Sequence, residues 1–296
     1  MSASDIHPTR VGKKSAASIR DALGGAVDAL AAAGVETPRL DAELLLCTVT
    51  GWERARLVAE PDAGVPADAA RRFGELVRRR LRREPVAYIL GRKGFRSLEL
   101  AVDRRVLIPR PETELLVELA LELAPRRVLD VGTGSGAVAL AIADELPGCE
   151  VVATDTSAAA LKVARGNAER LGLAEQVGFL EGALPDGDLG WMGEGGVNAF
   201  DLVVANLPYV AESEWSDLEP EVTQWEPREA LLAGADGLDV LRAMVPAAAT
   251  LAPVLALEVG IDQAAAVDEL LLEAGFADVE TRPDLAGIPR LVWGSR

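Results

Sequence analysis

Histidine is almost missing from this 296-residue chain, which has one, His7. It stands in a polar leader, MSASDIHPTRVGKKSAAS (1–18), of a kind that frays. A histidine general base and a histidine metal site are thereby excluded. Cysteine is nearly as scarce: Cys47 and Cys149 are too far apart for a zinc spacing and too few for a disulfide framework. Each reads as a buried thiol rather than a nucleophile. Triad hydrolases and zinc enzymes fall away, and no metal is expected. Long apolar runs are missing too. Nothing approaches the roughly 18 consecutive apolar residues of a membrane helix, and the richest run, 245–257, is broken by Pro246, Thr250 and Pro253. The leader has no apolar core, which predicts no secretory signal. A cytoplasmic protein without membrane contact is expected.

Positive charge is the last shortage. Lys and Arg number 30 against 47 Asp and Glu, a net charge of −17. The deficit is uneven, with residues 1–92 at +3 and the remainder at −20. So acidic a body repels nucleic-acid phosphates, so no direct nucleic-acid partner is expected. The basic excess sits in RRFGELVRRRLRR (71–83). This run is either the solvated face of a helix whose Phe73, Leu76, Val77 and Leu81 face a core, or a partner-docking surface.

Apolar residues make up 49% and charged residues 26%, the balance of a globular chain. Residues 18–34 and 39–51 show apolar positions at three- and four-residue spacing, each closed by a glycine, and Pro66 opens another such stretch. A small helical bundle over 1–92 follows. The period then changes: FRSLELAV (95–102) and RVLIP (105–109) read as two strands turning at Asp103–Arg104–Arg105, a hairpin linker over 93–110. From residue 111 to 296, helical stretches alternate with seven strands: RVLDVG (127–132), EVVATD (150–155), VGFLEG (177–182), FDLVVANLPY (200–209), VLALEVG (254–260), VETR (279–282) and RLVWG (290–294). Such alternation predicts an α/β fold, a mostly parallel twisted sheet with helices on both faces. Ligands then bind beyond the strand C-termini, where the strand order reverses. GDLGWMGEGG (187–196) reads as a surface loop.

Two constellations stand at strand C-termini. Asp130–Val131–Gly132–Thr133–Gly134–Ser135–Gly136 joins a strand to a helix, with glycines that let a ligand approach the backbone. The spacing is GxGxG rather than the dinucleotide GxGxxG, and no Gly-Lys-Ser/Thr is present. A cofactor without phosphates, S-adenosylmethionine (SAM), fits, with Asp130 facing its ammonium. Asp155 ends the next strand at the distance that suits ribose hydroxyls. A nicotinamide cofactor or a purely structural turn is the alternative. The second constellation is Asn206–Leu207–Pro208–Tyr209. A planar nitrogen is a poor nucleophile; the Asn206 side-chain carbonyl and the Leu207 backbone carbonyl can accept its N–H bonds and orient it, while Tyr209 stacks on its flat face. Alternatively this is an ordinary strand exit with Tyr209 filling a core.

DVGTGSG and ANLPY, together with VLIPRPETE (106–114), EPREALLAGADGLDVLR (226–242) and LALEVGIDQ (255–263), resemble the HemK/PrmC family of peptide-chain-release-factor glutamine N5-methyltransferases. The resemblance extends to PVAYILGRKGF (85–95) and DLAGIPRLVWG (284–294). It implies a class I SAM-dependent methyltransferase fold and methyl transfer from SAM to the Gly-Gly-Gln glutamine of class 1 release factors, docked by the N-terminal domain. Carried over by position, Gly132, Thr133, Gly134, Ser135, Gly136 and Asp155 would hold the cofactor, and Gly182 would lie near its adenine. Asn206 would contact the methyl surroundings and the target amide. Leu207, Pro208 and Tyr209 would shape the substrate slot, and Arg110 with Pro111 and Glu112 would roof it; Pro111 also reads as a helix start. Two positions depart from the family pattern: Leu207 replaces a usual proline, losing its fixed φ, and Arg96 stands where an aromatic residue is common. The rival readings are a ribosomal-protein-L3 glutamine methyltransferase, an adenine-N6 nucleic-acid methyltransferase, whose motif Asn-Leu-Pro-Tyr resembles, and a SAM-binding interaction protein without catalysis.

Overall fold

The computed structural model describes residues 17–184 and 199–296. His7 and the glycine-rich stretch 187–196 lie outside the described residues. Two compact units divide the chain between Leu90 and Gly91.

The first unit is helical: α1 (Ile19–Ala32), α2 (Pro38–Thr50), α3 (Arg54–Ala59), α4 (Ala67–Leu81) and α5 (Val86–Leu90). Ser18 caps α1 by accepting from the Asp21 backbone N–H, Pro38 opens α2 where a missing N–H costs nothing, and Gly51, at φ +70°, closes it. Ile19, Leu23, Leu30, Leu45, Leu46 and Phe73 form the core, each burial stabilising by about 1.5–3 kcal/mol. A buried ion pair, Arg80 to Asp41 at 2.7 Å, joins α4 to α2. The short α3 and α5 have too few turns to show the periodicity that marks the longer helices.

The second unit opens with a hairpin, β1 (Arg92–Phe95) and β2 (Leu98–Ala101), paired antiparallel. This corrects the expected hairpin. The turn falls at Arg96–Ser97, and residues 105–109 form no strand. The physical reason is charge. Arg96 takes φ +51°, rare for a side-chain-bearing residue. It is held there by ion pairs to Glu145 and Glu118 and by its backbone N–H on Glu114 Oε1 at 3.0 Å. No turn glycine announces this position. Arg96 is therefore a turn residue locked by three carboxylates.

A 3-10 turn (Pro111–Thr113) leads into α6 (Glu114–Leu123). Then follow β3 (Arg127–Val131), α7 (Ala137–Glu145), β4 (Glu150–Asp155), α8 (Ala158–Leu171), β5 (Val177–Glu181), β6 (Leu202–Ala205), α9 (Pro220–Trp225), α10 (Asp239–Leu251), β7 (Val254–Glu258), α11 (Ala264–Glu273), β8 (Asp278–Pro283) and β9 (Pro289–Ser295). The seven strands form one sheet in the order β5-β4-β3-β6-β7-β9-β8, in which β9 alone runs against its neighbours. Alternate residues serve opposite faces. Val128, Leu202, Val204 and Ala256 pack with α6 and α7, while Leu129, Val203, Ala205 and Leu257 pack with α10 and α11. The order reverses between β3 and β6, whose C-terminal tips carry Val131 and Ala205 side by side. The fold is the α/β class read from the sequence. Among the described residues no helix is long and apolar enough to cross a membrane.

Candidate active site

A cavity of about 630 Å³ opens at that reversal, the size of a small-molecule cofactor site. Its floor is the β3–α7 loop, Gly132, Thr133, Gly134 and Ser135, and its walls include Asp130, Asp155, Gly182, Asn206, Leu207 and Pro208.

The glycines earn their places in different ways. Gly132 (φ +74°) lies so close to Leu207 that an added Cβ would stand 2.9 Å from Leu207 Cδ2; at Gly136 (φ +84°) it would meet Leu140 and Ala164. Gly134 (φ +57°) faces open space, which is what a ligand lying on the backbone needs. Polar contacts tie the loop down. Gly132 and Thr133 N–H both donate to the Thr154 carbonyl at 2.9 Å. Gly134 N–H donates to Asp155 Oδ2 at 2.9 Å, and Ser157 N–H to Asp155 Oδ1 at 2.8 Å. Gly182 N–H donates to the Asp155 carbonyl at 2.9 Å. Ser135 offers its carbonyl to Asn167 Nδ2 at 2.9 Å; the same wholly buried amide exchanges hydrogen bonds with both backbone groups of Ala101.

Asp130 is 2% exposed, and its Oδ2 accepts from Thr133 Oγ1–H at 2.7 Å and Ala139 N–H at 3.2 Å. Burial pushes its carboxyl up to about 7, and the neighbouring Asp155 charge adds to that, against the pull of the two donors. Besides Asp130 and Asp155, Glu229 and Asp239 line the cavity, whereas its one arginine, Arg105, is bound bidentately by Asp103. Such a wall suits a cationic ligand and opposes the pyrophosphate of a nicotinamide cofactor.

Asn206 follows the last residue of β6. Its Nδ2 donates to Thr113 Oγ1 at 3.0 Å, and the residue lines the cavity. Two residues expected to touch substrate are not part of this cavity's lining. Tyr209 is absent from the cavity lining; its hydroxyl donates to Glu258 Oε1 at 3.4 Å, and burial, with the Glu258 charge, raises its pKa. Arg110 is likewise outside the lining and pairs with Glu226, whose side chain is 1% exposed and whose other oxygen takes the Ile108 N–H at 3.1 Å. Arg110 thus pins the 105–110 strap. Sequence reasoning missed Thr113, Glu226 and Glu258. All three lie inside the quoted family segments, and Glu258 ends an otherwise apolar buried strand, which was the available signal.

Comparison with known proteins agrees with this picture. Residues 21–91 match the family model described as PrmC N-terminal domain, and residues 128–225 match Methyltransferase domain. The release factor glutamine methyltransferase of Caulobacter vibrioides is 40% identical over 91% of this chain and 93% of that protein. Those of Xylella fastidiosa (strain Temecula1) and Geobacter sulfurreducens are 45% and 42% identical, over 90% and 93% of this chain and 96% of each relative. The catalytic domain of hMettl16, crystallised with MAT2A 3'UTR hairpin 1, superposes with a TM-score of 0.53 at 16% identity, over 71% of this chain and 78% of that one. At that identity it shows the fold alone, a class I methyltransferase sheet. A methyltransferase of this class draws its methyl group from SAM. With near full-length identity of 40–45% to three such enzymes, the chain belongs to the release factor glutamine methyltransferase family.

Proposed function

We propose that this chain methylates the side-chain amide nitrogen of the Gly-Gly-Gln glutamine of class 1 release factors, in the cytoplasm, with SAM held on the Gly132–Gly136 loop. The observation that carries the reading is Asn206: an uncharged amide at a strand tip, its N–H on Thr113, lining a cavity floored by a glycine loop. The relatives' names support the substrate. Residues 1–92 would dock the release factor, 93–110 would link, and 111–296 would carry the chemistry.

The residues fit the cofactor: open space above Gly134 and acidic walls accept a cationic, phosphate-free ligand. Bound there, SAM supplies a methyl group on a cationic sulfur, so that the S–C bond breaks as the N–C bond forms and a neutral thioether leaves. Asn206 Oδ1 and the Leu207 backbone carbonyl accept the two N–H bonds of the target amide. That aims its lone pair and withholds it from water. Leu207 in place of proline keeps the carbonyl. No side chain need titrate, since the methylated nitrogen gives up its proton to water, which agrees with a chain holding a single histidine. Tyr209, set behind the slot on Glu258, would stiffen its far side. The acidic second unit speaks against an adenine-N6 activity on nucleic acid.

The test is chemical. The protein is incubated with labelled SAM and purified release factor, and the modified residue is mapped by mass spectrometry. One methyl on the Gly-Gly-Gln glutamine is expected; label on another residue or on RNA would contradict the reading.

A further inference from the structure

An asparagine amide keeps nearly the same shape when turned half round about its last torsion, yet the turn exchanges acceptor for donor. The proposed chemistry needs Asn206 Oδ1 toward the target; the flipped side chain would meet N–H with N–H. Some feature must therefore choose between two orientations that pack alike.

Thr113 accepts from Asn206 Nδ2 at 3.0 Å. A hydroxyl alone cannot make the choice, because it donates as readily as it accepts. Turned the other way, it would serve a flipped Asn206 equally well. The choice is made only if the hydroxyl proton is committed elsewhere. Two observations bear on that proton. Thr113 stands at the N-cap of α6, where threonine ordinarily spends its oxygen on the helix, and here it makes no side-chain cap bond. The 4% exposed side chain is instead turned to Asn206 and Glu258. Glu258 is 2% exposed, and its Oε2 is buried with no hydrogen-bond partner, an acceptor in hand for the Thr113 proton. Its Oε1 takes the Tyr209 hydroxyl. The other charges facing it are Glu112, on the turn before α6, and Arg290, on β9. When Oε2 carries no proton it can only accept, so it draws the Thr113 proton and leaves the threonine oxygen free only to receive from Asn206.

We propose that Thr113 and Glu258 are positioning residues that together lock the Asn206 amide with Oδ1 toward the acceptor glutamine, a role that rests on the methyltransferase reading of this cavity. Neither touches the substrate; Glu258 orients Thr113, and Thr113 orients Asn206. The three come from the turn before α6, the exit of β6 and the end of β7. The lock forms only when these three segments are assembled.

The experiment measures kcat and KM for release factor at saturating SAM, with SAM affinity by calorimetry, for the full-length wild type, Thr113→Val, Thr113→Ser and Glu258→Gln. Thr113→Val keeps the shape and removes the hydroxyl. Its kcat is expected to fall about 100-fold, the scale of a misoriented catalytic hydrogen bond, while SAM affinity stays within about 3-fold as a check on folding. Thr113→Ser restores the hydroxyl and should return kcat to within about 5-fold of wild type. Glu258→Gln, which can donate to Thr113 and hand its proton back toward Asn206, should lose about 10-fold in kcat with little change in KM. A Thr113→Val protein at wild-type kcat overturns the proposal, as does a Thr113→Ser protein that binds SAM normally yet stays as slow as Thr113→Val. A wild type that methylates no release factor overturns the functional reading, and this proposal with it.

Discussion

Asp130 sits where its charge is costly until a cation arrives. Burial lifts its carboxyl to about 7, so near neutrality, with no cation beside it, the group is partly protonated. If it faces the cofactor's ammonium, SAM should bind more tightly as pH climbs from 6 to 8, and Asp130→Asn should flatten that dependence; calorimetry at the two pH values checks both. Glu258, also lifted to about 7 by burial, carries a stability consequence of the same origin. A carboxyl whose folded pKa lies above its unfolded value near 4.5 favours folding while protonated, and that contribution is lost as pH rises from about 4.5 through about 7. The unfolding free energy of wild type should therefore drop relative to Glu258→Gln across that window, which urea titrations at pH 5 and 8 will read. The loop glycines and Asp155 were legible in the sequence because their spacing from a strand end is local. Thr113 and Glu258 were not. Thr113 meets Asn206 across 93 positions and Glu258 meets Tyr209 across 49, so their roles exist only after the sheet has closed.

Elements behaved as periodicity suggests wherever they are long. Strands β3, β4, β6 and β7 were visible as apolar runs because both faces of a central parallel strand are buried. The hairpin was misread because its turn is fixed by ion pairs to α6 and α7 rather than by turn residues. The β2 end, the cofactor loop and α8 share one fastening. The Asn167 amide bonds the backbone of Ala101 on β2 and of Ser135 in the loop. Asn167→Leu would leave three backbone groups unpaired, that of Ser135 buried and the two of Ala101 part-buried, each costing up to about 1–3 kcal/mol. Thermal unfolding should show a loss of several kcal/mol, or about 2–4 °C for each kcal/mol in a domain of this size, and SAM affinity should fall with it.

Over the whole molecule the two units divide the charge unevenly. Residues 1–92 carry +3 and the rest −20. The first unit has its own core, and every residue lining the cavity belongs to the second. A fragment of residues 91–296 should bind SAM within about 3-fold of the full chain. If the helical unit docks the release factor, that fragment should also show a KM for the protein substrate raised by tenfold or more; equal KM values would remove docking from the N-terminal unit. Fold class and the glycine loop at a strand end were thus readable from the sequence, while the contact of Thr113 with Asn206 was not.

The account turns on one neutral side chain doing the work usually given to a titrating base. Its most direct test compares Asn206→Ala with wild type in single-turnover methylation of release factor at saturating SAM, alongside the SAM dissociation constant. A rate lowered by about 10³ or more, with SAM binding weakened only a few-fold, is predicted. An alanine variant that transfers methyl at the wild-type rate would contradict it.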